Sequence, residues 1–169
     1  MQARYVRAII TGAVSAIPVS LCIWITSIMI DRAAAPLFAK GLDAYESLCC
    51  EICLLQYVGL AIIFALTGVA AVACCGRLIT GADDAIKAAA VAGATACVIS
   101  GVVFLVPFFQ QQIHNNSQIY ALGTGYTVFS FAIIIIGAIV IGIIYVCIGS
   151  FCAFLGGDLY YLVRRKKVR

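Results

Sequence analysis

Charged side chains are scarce in this chain, at 11% of 169 residues, where a water-soluble domain carries roughly 25%. So few charges could not cover a composition that is 64% hydrophobic, which excludes an ordinary soluble fold. Histidine occurs once, at His114. A histidine pair for haem is therefore excluded for the chain alone, and His114 has no acidic neighbours with which to form a metal site. No charged residue stands in the central part of any long apolar run. Intramembrane acids and bases are the usual sign of ion coupling, so their absence argues against a proton-coupled transporter. No complete catalytic or ligand-binding signature is present. The expectation is a protein that is not an enzyme, with no cofactor and no metal.

Four long apolar blocks are present, over residues 8–30, 52–75, 85–109 and 127–155. Each exceeds or matches the ~20 residues that cross a bilayer core. Backbone groups in lipid must satisfy their own hydrogen bonds, so each block is expected to be a helix. This holds even for the isoleucine-rich run 131–144, which in water would suggest a strand. The first block is longer than the ~7–15 residues of a signal-peptide core and reads as a retained helix. The fold expected is all-α: one polytopic membrane domain over 1–169, built as a four-transmembrane-helix bundle.

The formal net charge of +4 is distributed unevenly. Arg164, Arg165, Lys166, Lys167 and Arg169 form a basic tail over 164–169. No aromatic residues are interleaved on a polar face, so nucleic acid is not an expected partner. A tail of this kind fits lipid headgroups. Arg4 and Arg7 precede the first block, and no Lys or Arg occurs over 110–126. Lysine and arginine bias therefore predicts both termini on the cytoplasmic side, with the two longer loops outside. In the first of these loops Phe38, Leu42, Tyr45 and Cys49 recur at helical spacing. A short interfacial helix over 36–49 is the corresponding expectation.

Helices in lipid associate through close backbone approach, which needs small residues on one face. The third block has Ala85, Ala89, Gly93, Cys97 and Gly101 at a strict spacing of four, beside Ala88, Ala92, Ala96 and Ser100. That makes it the expected packing hub. Gly12 and Ala16 on the first block, and Ala138 and Gly142 on the fourth, are shorter stripes of the same kind. Pro18 is expected to kink the first helix, and Pro107 to kink or end the third.

Nine cysteines occur, most at positions where a small packing residue is the ordinary role. The cluster Cys49, Cys50 and Cys53 is the exception. It stands at the expected start of the second helix, where the helix dipole favours the reactive thiolate. The segment Cys50-Glu51-Ile52-Cys53-Leu54-Leu55-Gln56 resembles the redox motif of the quinone-linked disulfide oxidases of the DsbB type. Those proteins also have four helices and inner termini. The resemblance implies thiol oxidation through Cys50 and Cys53 with quinone as cofactor. The chain departs from the pattern in two places: residues 110–126 hold no second cysteine pair, and Tyr57 stands where the family has an arginine. A second resemblance, in architecture only, is to claudin-like tetraspan proteins through Tyr45-Glu46-Ser47-Leu48, Leu55-Gln56 and Val106-Pro107. The tryptophan-rich, two-cysteine loop signature of claudins is absent. Asn115-Asn116-Ser117 matches a glycosylation sequon.

The leading expectation is a non-catalytic tetraspan protein acting as an accessory or scaffolding subunit of a membrane assembly. Its partners would be membrane lipids and either copies of itself or other membrane subunits. The alternatives are the thiol oxidoreductase and a small oligomeric channel or facilitator.

Overall fold

A computed structural model describes the backbone of residues 2–38, 42–116 and 124–167, and side chains within 3–29, 32, 50–104, 135–137 and 139–166. The described chain is helical. α1 spans Gln2–Phe38, α2 Leu42–Cys75, α3 Ala82–Asn116 and α4 Thr124–Lys167. A single 3-10 turn, Gly76–Leu78, joins α2 to α3. Four helices are long and apolar enough to cross a membrane, over Ala3–Met29, Cys50–Leu78, Ala82–Phe104 and Ile135–Lys166.

Every helix outruns the apolar block that marks it in the sequence. α4 has 44 residues, about 66 Å at 1.5 Å per residue, against a hydrocarbon core of about 30 Å. The extra length comes from flanking polar residues with adequate helix propensity, which periodicity of apolar residues does not register. Residues 36–38 continue α1 and 42–49 open α2. The expected interfacial helix over 36–49 is thus shared between two long helices, and its side chains lie outside the described residues. α1 runs on through Pro18, which faces outward, and α3 runs through Pro107 to Asn116. A proline removes one N–H from the helical ladder, and membrane helices tolerate that loss.

α2 and α3 form the middle of the bundle. α1 packs against both from one side and α4 against both from the other, so α1 and α4 face each other across the α2–α3 pair. The interior is built from small residues. Ala85, Ala88, Ala89, Ala92, Ala96, Ala71 and Ala153 are fully buried, and Phe64 is the bulkiest of the wholly enclosed side chains. Hydroxyls in this apolar setting bond back to their own helix. Thr26, Thr67 and Thr95 donate to the carbonyls of Cys22, Ile63 and Val91 at 2.8 Å each. Such back-bonding satisfies the hydroxyl without a partner helix.

Glycines set the helix separations. A Cβ on Gly12 of α1 would overlap the Ala92 carbonyl of α3 and stand 2.8 Å from Thr95 Cβ. On Gly93 of α3 it would stand 2.6 Å from Ala153 Cβ and 2.9 Å from the Gly149 carbonyl oxygen of α4. On Gly156 of α4 it would stand 2.7 Å from the Ala65 carbonyl carbon of α2. Each approach is helix backbone against helix backbone, the contact that lipid-embedded association requires.

Candidate functional site at the polar end of the bundle

The start of α1, the α2–α3 turn and the end of α4 meet at one end of the bundle. Arg4 is nearly buried there and forms an ion pair with Asp84 of α3. Asp84 also accepts from the Thr80 hydroxyl at 2.5 Å and the Thr80 N–H at 3.3 Å, which caps the approach to α3. The Arg4 guanidinium donates to the Tyr5 hydroxyl at 3.2 Å. Its Nε is buried with no hydrogen-bond partner among the described residues. Arg7 donates to the Cys74 carbonyl at 3.3 Å, and the Cys75 thiol donates to the Arg4 carbonyl at 3.5 Å. Three of these links tie α1 to the α2 end or to α3. The apolar residues Ala8, Ala71, Cys75, Ala88 and Ala92 close the space beneath them.

Beside this network is an open cleft of about 250 Å³, lined by Val72, Gly76, Ile79, Tyr161, Arg164 and Arg165. Gly76 begins the turn at φ +43°, a left-handed value that glycine adopts without steric cost. Val72 forms part of a buried cluster with Ala85 and Ala89, on which Ile79, Tyr160 and Tyr161 also pack. The cleft therefore has an apolar floor and a cationic rim.

Deeper in the bundle a second set of polar groups joins α2, α3 and α4. Ser100 donates to the Ala96 carbonyl at 2.8 Å, and its hydroxyl is 3.4 Å from that of Tyr145. The Cys97 thiol donates to the Tyr145 carbonyl at 3.6 Å. Tyr145 meets Phe64 edge to face, with ring centroids 5.7 Å apart. The arrangement is a packing lock; among the described residues no group of three or more His, Cys, Asp or Glu is placed to hold a metal ion.

The residues singled out in the sequence fall into three groups. Ala85, Ala89, Gly93, Cys97, Gly12 and Ala16 are buried between helices. Gly101 and Gly142 are half-buried, and nothing lies within 4 Å of where their Cβ atoms would stand. The side chain of Ala138 lies outside the described residues. Arg164, Arg165 and Lys166 are exposed, while the side chain of Lys167 and all of Arg169 lie outside the description. So do the side chains of Cys49, His114 and Asn115.

Cys50 is exposed, Cys53 is half-buried, and both are free. α2 begins at Leu42, eight positions before Cys50. The pair therefore stands more than two turns inside the helix. Dipole effects are concentrated in the first turn of a helix, and the pair lies beyond it. Two features were missed in the sequence. Gly149, Ala153, Gly156 and Gly157 form the α4 face that seats on α2 and α3. Their spacing of four and three was a usable signal. Arg4 with Asp84 joins residues 80 positions apart, and nothing in the spacing announces the pair.

Comparisons with protein-family models, with curated proteins and with solved structures find no match to this chain.

Proposed function

We propose that the protein is a non-catalytic, multi-pass membrane subunit that contributes a helix face to a larger assembly, with itself or with other membrane proteins. The reading rests on the glycines of α4. The inner half of this helix uses its small residues against α2 and α3. The outer half, from Ile135, exposes Ile135, Ile136, Ile139, Val140, Ile141, Ile143 and Ile144. Gly137 and Gly142 lie in that half with open space around them. A glycine on a face that meets only acyl chains weakens the helix and gains no contact. A partner helix laid against it recovers the contact through close approach.

In this reading the polar end, with Arg4, Arg7, Arg77 and the basic tail, faces the cytoplasm, in keeping with positive-inside bias. Native mass spectrometry from lipid nanodiscs is the test. The expected result is a multimer, or a complex with another membrane protein, that Gly142→Leu dissociates while the monomer stays folded. A lone monomer at all concentrations, with nothing co-purifying from native membranes, would overturn the proposal.

A further inference from the structure

We infer that the cleft between the Gly76–Leu78 turn and the end of α4 is a specific site for one anionic phospholipid, with the headgroup phosphate held between Arg164 and Arg165. The inference deepens the reading of this chain as a membrane protein, because it requires the polar end to lie at the headgroup layer.

Three observations carry it. First, neither guanidinium forms an ion pair with any described residue. The ion pair among the described residues is Arg4–Asp84. Neither Asp83 nor Asp158 pairs with Arg164 or Arg165, and Asp84 is occupied by Arg4 and Thr80. Second, the two arginines belong to a preformed wall. Tyr161 precedes them by three and four positions, so all three share one helix surface. The Tyr161 ring packs on the Val72, Ala85 and Ala89 cluster, which anchors that surface. Its hydroxyl makes no hydrogen bond to any described residue and is free to donate to the same phosphate. Third, the cleft is amphipathic in the order a lipid needs. Arg164 and Arg165 are exposed at the rim, whereas Val72 is buried at the floor beside half-buried Ile79.

The volume of about 250 Å³ is below the roughly 300–1,000 Å³ of pockets that enclose a whole small ligand. It suits a headgroup and the first carbons of its chains, with the rest of the lipid lying along the outside of the bundle. Arginine forks match phosphate oxygens two at a time, which lysine cannot do. This distinguishes the site from the general attraction of the basic tail for an anionic surface. A zwitterionic lipid brings its own ammonium beside the phosphate and gains less from two guanidiniums.

The test is native mass spectrometry of the full chain in neutral detergent, titrated separately with phosphatidylglycerol, phosphatidylcholine and inorganic phosphate. The expected result is one tightly held phosphatidylglycerol per chain, weaker phosphatidylcholine, and no competition from inorganic phosphate. Replacing both arginines, R164Q with R165Q, should weaken that first lipid about 30-fold, and a charge-matched control, K87Q with K166Q, by less than about threefold. All four side chains are exposed, so both variants fold. Equal loss in the two double variants would show a diffuse surface charge and overturn the proposal. Displacement of the lipid by inorganic phosphate would overturn it in favour of a free-anion site. Lipid adducts are counted separately from subunits, so failure here leaves the multimer test intact, and the reverse also holds.

Discussion

Gly68 of α2 and Ala153 of α4 meet backbone to backbone. A Cβ built on Gly68 would overlap the Ala153 carbonyl oxygen and stand 2.6 Å from its carbon. Neither atom belongs to a flexible side chain, so no rotamer change relieves the clash. Gly68→Ala is therefore expected to separate α2 from α4 and to destabilise the fold by at least the ~1–3 kcal/mol of an overpacked core. Gly101→Ala meets open space and is expected to leave the fold unchanged or slightly more stable. Thermal unfolding of the two variants in detergent separates these outcomes; equal midpoints would contradict the close approach.

Arg4 and Asp84 join the start of α1 to the start of α3, with side-chain exposures of 9% and 23%. Removal of either partner strands the other in a poorly solvated position. Arg4→Gln and Asp84→Asn are each expected to lower the unfolding midpoint, with the double variant losing less than the sum. Additive losses in this cycle would mean the two residues act independently.

Cys50 and Cys74 are both exposed on α2, 24 positions or about 36 Å apart along a helix. Single-cysteine variants should label with a membrane-impermeant maleimide from opposite sides, Cys74 from the cytoplasm and Cys50 from the outside. Labelling of both from one side would refute the orientation proposed above. Cys97 is buried and should react only after unfolding.

The placement of Cys50 and Cys53 inside α2 leads to a further expectation. Cys50→Ser with Cys53→Ser should leave thiol oxidation in membranes at the level of the unaltered protein. A loss of disulfide formation in that variant would restore the oxidoreductase reading.

The sequence made some of this legible for a physical reason. Apolar runs such as 52–75 and 85–109 have the length a bilayer demands, so the number of helices follows from composition alone. The row Ala85, Ala89, Gly93, Cys97 has the spacing of a helix face, and these residues are buried. The same row extends to Gly101, where an added Cβ would meet no described atom within 4 Å: spacing identifies a smooth face but not how closely a neighbour approaches it. Helix starts were less legible. Residues 42–49 have the helical spacing expected of a separate interfacial helix, yet they are the first two turns of α2: apolar spacing marks a helical segment but not whether it continues into the next one. The cleft at the polar end was invisible, because Gly76, Ile79 and Arg164 come together only through the packing of α4.

The side-by-side order of the helices also has a meaning in time. α1 and α4 lie on opposite flanks of the α2–α3 pair, so the first three helices can settle together while α4 is still unmade. At roughly 5–20 residues per second, a ribosome needs about 2–9 s to produce the 44 residues of α4. During that interval Gly68 and Gly93 present bare backbone along an open seam. A nascent chain halted at this stage would be a three-helix unit with an adhesive edge, vulnerable to capture by the wrong helix until its own fourth one arrives.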